Sequence, residues 1–399
     1  MDYSFSRSFQ ALQPSALRES FKLAADPTVI SFAAGSPSPD TFPATEMLEI
    51  LNDVLTDPLR TAKALQYGVS EGVSELRMLL LERMKNRFHT GRNGDTILIT
   101  SGGQQGIELC AKIFLDCGDV VFTETPTFSN SLNTFRAFGP KLIGIPIQPD
   151  GMDIEVLEAA LKREPKRKII YCISSFQNPT GFTTSPEKRR ALYELACKYN
   201  VIIIEDDPYI ELRYSGEHVM PIKSYDEEGR VVYVNSLSKV ISPGIRLGFT
   251  ILNNEIAKKM VVAKQGEDVH ANVPMQIVAA EYINKYDFNT HISMIRQTYC
   301  KKRDLMLSCL DTNFPIDVAH SSPDGGFFIW CTLPEGIDSG KLADLAFQRK
   351  LLISLGHGFM VQTNAVCTNF RLSFSLPSEQ KIIQGIDILG DAVNQLLGR

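Results

Sequence analysis

No apolar run in the 399 residues approaches the roughly 18 that a membrane-spanning helix requires. Residues 1–13 mix Arg, Ser, Gln and aromatics around no apolar core, so no secretory signal is expected, and the cytoplasm is the expected location. Histidine is scarce, six in all, and no His-Glu-x-x-His pair occurs, so no catalytic metal is expected. None of the eight cysteines forms a Cys-x-x-Cys pair and no Asn-x-Ser/Thr sequon is present, which favours buried free thiols over disulfides. Lys and Arg cluster only in short runs such as Lys166-Arg167-Lys168, and the net charge is −5. A nucleic-acid surface needs a basic face, and none is indicated.

What is present is an ordinary globular composition, 44% hydrophobic and 22% charged. At roughly 150 residues per domain, the length allows two or three domains with an ample core. An N-terminal arm with a short helix near residues 15–25 leads to a strand at Ile30 and a Gly/Pro/Ser turn. Helices are expected over 44–56 and 72–87, with a loop at Leu65-Gln66-Tyr67-Gly68 between them. From Ile97 strands (97–100, 120–123, 141–147, 169–174, 201–204, 231–234, 247–252) alternate with helices (107–115, 128–138, 154–162, 185–199). Ser185-Pro186 reads as a helix N-cap followed by proline. This alternation implies a mostly parallel sheet covered on both faces. Helices are expected over 254–265 and 274–301. Beyond them the chain shortens into a strand at 325–330, a helix at 340–350 and a strand at 369–374. The expected division is an arm at 1–45 that joins the small domain, a large α/β domain at 46–300, and a small α+β domain at 301–399.

In an open α/β sheet, ligands sit at the carboxyl ends of the strands, and four motifs fall there. Ser101-Gly102-Gly103-Gln104 joins a strand to a helix N-terminus, which suits a phosphate, although such turns are also glycine-rich for steric reasons. In Ser175-Phe176-Gln177-Asn178-Pro179-Thr180-Gly181, Asn178 could donate to a phenolate-like oxygen, or the motif could simply turn the chain. In Glu205-Asp206-Asp207-Pro208-Tyr209, a carboxylate ending a buried strand could lie under a pyridine nitrogen; an N-cap or a divalent-metal pair would use the same residues. The fourth motif runs Asn235-Ser236-Leu237-Ser238-Lys239-Val240-Ile241-Ser242-Pro243-Gly244-Ile245-Arg246. Its hydroxyls and Arg fork suit a phosphate, and a desolvated Lys beside other cations can act as a nucleophile. The plainer reading is a solvated basic loop.

In this order the four motifs resemble the pattern of fold-type I pyridoxal phosphate enzymes, specifically the class I/II aminotransferases, over nearly the whole chain. The resemblance implies a three-layer α/β large domain with a smaller α+β C-terminal domain, and pyridoxal 5′-phosphate as cofactor. It implies Lys239 as the Schiff-base lysine and proton shuttle, Asp206 on the ring nitrogen, and Asn178 and Tyr209 on the ring oxygen. Gly103, Gln104, Ser236, Ser238 and Arg246 would hold the phosphate. Phe128 would stack on the ring, without the hydroxyl of the tyrosine often found there. Tyr67 would reach the phosphate of a partner subunit, which implies a homodimer with shared active sites. Arg371, alone in an apolar strand, would bind the substrate carboxylate; the alternative is a structural ion pair. Gly35 would line the same pocket, and Arg18 would either touch a distal carboxylate or be solvated.

The expected reaction moves an amino group from an L-amino acid to a 2-oxo acid, with 2-oxoglutarate as the expected acceptor, by a ping-pong route. Ser31–Asp40 and the Gly-Gly-Gln-Gln-Gly turn lean toward the 2-aminoadipate, kynurenine and aromatic aminotransferase branch, so an aromatic, branched-chain or 2-aminoadipate-like donor is expected. Two rival readings share the scaffold: a pyridoxal-phosphate-dependent lyase, and an amino-acid-sensing domain without turnover. Against the sensor stand the acidic balance and a chain that starts too near the catalytic core for a winged-helix domain.

Overall fold

The first strand, β1 (Ile30–Ser31), is followed by the eight strands of a single sheet. These are β2 (Asp95–Thr100), β3 (Val120–Thr125), β4 (Lys141–Gln148), β5 (Gly151–Met152), β6 (Arg167–Cys172), β7 (Ile202–Asp206), β8 (Val231–Ser236) and β9 (Gly248–Asn253). They lie in the order β2-β9-β8-β7-β6-β3-β4-β5. The structure is a computed structural model and describes residues 3–6, 9, 12, 26, 28–362 and 366–399.

Strands β8, β7, β6, β3 and β4 are parallel to their neighbours within this set, so their carboxyl ends open along one edge. The apolar run of β7 divides between two cores, because successive side chains point to opposite faces. Ile203 and Val231 pack with Leu157, Ile170 and Leu192 on one face. Ile204 and Val232 pack with Ile107, Leu98 and Tyr171 on the other. Strand β9 runs antiparallel to both neighbours, and its first residue, Gly248, pairs with Thr100 on one side and Ser236 on the other. That reversal brings the ends of β2 and β8 together at the same edge.

The C-terminal part forms a four-stranded antiparallel sheet from β10 (Ala319–His320), β11 (Phe328–Thr332), β13 (Ser354–Leu355) and β14 (Asn369–Ser373), ordered β10-β11-β14-β13. Strand β12 (Leu351–Leu352) pairs parallel with β1. All eight cysteines are free. Among the described residues, no helix is long and apolar enough to cross a membrane.

The structure corrects several expected elements. The helix expected over 274–301 is two helices, Val273–Lys285 and Phe288–Asn313. Between them the Asp287 carboxylate caps the second by accepting from the Asn289 and Thr290 N–H groups. The stretch before the Tyr67 loop contains a further helix, Pro58–Leu65, capped by Asp57 with proline in its first turn. The strand expected at 325–330 is β11, two to three residues later. Gly325 and Gly326 instead pack against Phe176, where an added Cβ would lie 2.5 Å from that side chain at either position. A helix at Glu379–Leu396 was not expected; Ser378 caps it and its buried face carries Ile382, Ile386, Leu389 and Val393. The helix expected near 15–25, and Arg18 on it, lie outside the described residues.

Candidate active site

A cavity of about 410 Å³ opens at the carboxyl edge of the parallel strands. Its wall comes from all four motifs and from the small sheet: Gly103, Gln104, Asn178, Asp206, Tyr209, Ser236, Ser238, Lys239, Arg246 and Arg371, with Gly35, Phe128 and Phe328. A larger hollow of about 640 Å³, near His89–Asn93 and Gly229, lies at the opposite end of the sheet, beside Asp95 and Asn253. It gathers none of the four motifs.

Lys239 ends a short 3₁₀ turn that begins where β8 stops, and Ser236 caps that turn through its hydroxyl oxygen, which accepts from the Ser238 N–H. Its Nζ donates to the Gly35 carbonyl at 2.9 Å and lies 5.9 Å from the Tyr209 ring centroid. Burial, reinforced by the Arg371 and Arg246 charges, lowers the Lys239 pKa to about 8. A fraction of the amine is therefore neutral near physiological pH, which a nucleophile or base requires.

Asp206 ends β7. Burial pushes its pKa up to about 6, against the opposing pull of the Tyr171 hydroxyl and the Lys239 charge. Tyr171 Oη donates to Asp206 Oδ2 at 2.8 Å. Tyr209 is buried against Phe327 and Phe328.

The turn at the end of β2 has the shape of an anion cradle. Gly102 has φ +78°, and an added Cβ there would sit 2.3 Å from Arg246 Nη2, so glycine is what lets the guanidinium approach. Arg246 Nη2 also donates to the Ser101 carbonyl at 3.2 Å. The helix Gly103–Phe114 starts here, with first-turn N–H groups that lack intrahelical acceptors. Gly103 faces Ser236, and Ser236 and Ser238 share a hydroxyl–hydroxyl bond of 2.9 Å. Behind the turn, Ser101 is fastened to Asp268, which pairs with Lys264. The Gln104 side chain donates to Thr134 at 2.6 Å, leaving its main-chain N–H as the group offered to an anion.

Arg371, in β14, is 1% exposed. Its Nη1 donates to Asn178 Oδ1 at 2.7 Å, and Nη2 donates to the Ala33 carbonyl and to Ser354 Oγ. These partners are neutral oxygens, Nε has no hydrogen-bond partner among the described residues, and the guanidinium lies 4.1 Å from the centroid of the Phe328 ring. A buried cation without a carboxylate is costly, and burial lowers its pKa to about 10. The structural ion pair considered as the alternative is not formed among the described residues. Gly35 is small for a reason not seen in the sequence: a Cβ there would lie 2.5 Å from Phe328 Cζ.

These residues fit a phosphorylated pyridine aldehyde. A depressed amine faces a buried acid, a dipole-backed cradle flanks them, and a guanidinium fork with no carboxylate on it lies opposite. The sequence model of class I and II aminotransferases matches residues 27–389. The chain belongs to that family. An aromatic-amino-acid aminotransferase of Thermococcus litoralis is 38% identical over 401 residues, covering 99% of this chain and 95% of the relative. A kynurenine aminotransferase of Pyrococcus horikoshii, solved in complex with PMP, has a TM-score of 0.93 at 38% identity, covering 98% of this chain and 97% of that one. An alpha-aminoadipate aminotransferase of Thermus thermophilus, complexed with N-(5′-phosphopyridoxyl)-L-leucine, has a TM-score of 0.90 at 33% identity, with 99% and 98% covered. The protein is a pyridoxal-phosphate-dependent aminotransferase of the fold type expected from its motifs, acting on amino and 2-oxo acids.

Tyr67 of this aminotransferase is not part of the cavity in a single chain; it is 81% exposed and touches His270 edge-on. Sequence reasoning missed a supporting tier. Glu124, at 0% exposure, accepts from the Ile173 N–H at 3.2 Å and from Gln177 Nε2 at 3.0 Å, and burial pushes its pKa up to about 8. Gln177 also accepts from Thr180 and donates to the Pro126 carbonyl, which fixes the loop that carries Asn178. Ile173, Asn130 and Pro208 also line the wall.

Proposed function

We propose that the enzyme transfers the amino group of an aromatic, branched-chain or 2-aminoadipate-like L-amino acid to a 2-oxo acid, with 2-oxoglutarate as the expected acceptor. The observation that carries this reading is the pairing, in one cavity, of a buried amine of lowered pKa with a buried guanidinium that has no carboxylate partner among the described residues. The printed activities of the relatives, on aromatic amino acids, kynurenine and aminoadipate, support the substrate class.

Gly103, Gln104, Ser236, Ser238 and Arg246 would hold the cofactor phosphate, Asp206 the ring nitrogen, Asn178 and Tyr209 the ring oxygen, and Phe128 the ring face. Bound pyridoxal phosphate supplies an aldehyde that condenses with amines and a protonated ring that draws off charge when an α-proton leaves. Arg371 binds the substrate α-carboxylate through its fork and so orients the α-carbon. Lys239 Nζ, neutral in part, takes the α-proton and holds it for return. Asp206, as an anion, keeps the ring nitrogen charged. The keto product leaves before the acceptor enters, which gives ping-pong kinetics.

Residues 46–300 serve as the cofactor-binding domain, and 1–45 with 301–399 as the smaller one. The reading includes a homodimer in the cytoplasm, in which Tyr67 reaches the partner's phosphate. Leu59, Leu65, Tyr67 and Val69, near one another in sequence, are all exposed, as residues of a subunit contact would be in a single chain.

The test is a half-reaction panel. Amino acids are added singly to the purified holoenzyme while the cofactor's visible band and keto-acid release are followed. Borohydride reduction and peptide mapping should place the label on Lys239. A label elsewhere, or ammonia release with no keto-acid exchange, would reject the reading.

A further inference from the structure

Tyr171 lies in β6 between two strands of the parallel sheet, opposite Thr123 on one side and Ile204 on the other. It is fully buried, with its ring edge-on to Phe135 at 5.4 Å. A phenylalanine would satisfy that packing, so the buried hydroxyl needs a reason of its own. Its single proton goes to Asp206 Oδ2. The 2.8 Å contact between Ser131 Oγ and Tyr171 Oη must then carry the serine's proton toward the tyrosine oxygen. Ser131 is fully buried too, on the helix Ser129–Ala137 that packs over this face. The result is a directed row, Ser131 to Tyr171 to Asp206, that starts outside the cavity and ends on the acid in its floor.

The other charged or titratable groups near Asp206 act on it through space. Lys239 attracts its negative charge, and the Asp206 charge in turn raises the pKa of Glu124, Asp207 and Tyr209. Among the described residues, Tyr171 is the hydrogen-bond donor that reaches this carboxylate. Burial alone drives Asp206 toward its protonated form, and a protonated acid could not balance a positive ring nitrogen.

We propose that Ser131 and Tyr171 are positioning residues that hold Asp206 as an anion and aim its free oxygen into the cavity, thereby keeping the cofactor's ring nitrogen protonated. This rests on the Asp206–ring pairing proposed above. A hydrogen bond to a charged acceptor is about twice as strong as a neutral one, and a row of such bonds strengthens each member. Losing it shifts the ring-nitrogen proton toward the acid by about ten- to a hundredfold.

The experiment uses holoenzyme loaded with pyridoxal phosphate carrying ¹⁵N in the ring, comparing wild type, Tyr171→Phe and Ser131→Ala by nitrogen NMR. The wild-type signal should be that of a protonated ring. Tyr171→Phe should move it toward the neutral-pyridine position and lower the donor half-reaction kcat about tenfold, with KM nearly unchanged because Arg371 is untouched. Ser131→Ala should move the signal the same way by less. An unshifted nitrogen signal in folded Tyr171→Phe overturns the proposal even if activity falls, since that outcome means packing alone. Should Tyr171→Phe fail to fold, the Ser131→Ala signal decides by the same criterion. A wild-type ring that is itself unprotonated would instead reject the Asp206 pairing.

Discussion

Asn178 Oδ1 accepts a 2.7 Å hydrogen bond from Arg371 Nη1. Because a guanidinium can only donate, this bond fixes which end of the amide faces Arg371 and leaves Asn178 Nδ2 for the other side. One contact between the large sheet's edge and β14 thus sets both the free donor of Asn178 and the orientation of the Arg371 fork.

Asn178→Asp should therefore damage substrate binding more than Asn178→Ala. The new carboxylate would pair with Arg371 and occupy the fork proposed for the amino acid's carboxylate. The expected outcome is a rise in KM for amino donors of roughly a hundredfold with the cofactor band retained. Equal KM values for the two variants would contradict this.

Cofactor loading should depend on pH through Lys239, whose pKa burial lowers to about 8. The neutral amine is the attacking form, so the loading rate of cofactor-free enzyme should fall nearly tenfold per pH unit below about 8 and level off above it. Stopped-flow absorbance after mixing with pyridoxal phosphate reads this directly. A rate that stays flat from pH 6 to 9, values that bracket the amine's titration at about 8, would count against a buried reactive amine.

Gly248 is held by backbone on both sides: an added Cβ would lie 2.5 Å from Gly102 C on one side and 2.8 Å from the Asn235 carbonyl oxygen on the other. Gly248→Ala should push the cradle turn away from β8, weaken cofactor binding at least tenfold, and lower stability by about 1–3 kcal/mol. Gly244→Ala is the control, since its Cβ would meet only Ser242 Oγ at 3.6 Å. If the two variants bind cofactor alike, the cradle does not depend on this close approach.

Glu124 makes stability fall with rising pH. Burial raises its pKa from 4.5 to about 8, so the folded protein retains a proton that the unfolded chain has released. Its contribution is complete below about 4.5 and is lost as pH climbs through about 8. Glu124→Gln removes this loss and should gain thermal stability relative to wild type as pH rises from 5 to 8.5, across the range set by that shift from 4.5 to about 8. Parallel Tm curves would show that Glu124 is ionised throughout.

The cavity wall was legible because its chemistry sits at strand ends, where Lys239, Asp206 and Asn178 interrupt apolar runs with residue types that a core does not need. The supporting tier was not. Tyr171 reads as one more β-former in Ile-Ile-Tyr-Cys, and only the register that sets it beside Ile204 brings its hydroxyl to Asp206. Glu124 carries no local mark either, since its partners Ile173 and Gln177 come from a different strand end. Two missed helices did leave signals: Asp57-Pro58 is a cap followed by proline, and Ile382, Ile386, Leu389 and Val393 follow a helical period. The break at Tyr286-Asp287 has neither Gly nor Pro, and its Asp cap was the sole cue. Tyr67 is exposed and lies outside its own chain's cavity, so no contact within the chain bears on the role expected for it.

Arg371 and the Ala33 carbonyl it grips are 338 residues apart along the chain. Chemistry gathered from such distant positions survives in no excised fragment. The visible band of cofactor-loaded protein should therefore gauge global integrity, its loss during denaturation reporting the whole architecture and not one pocket.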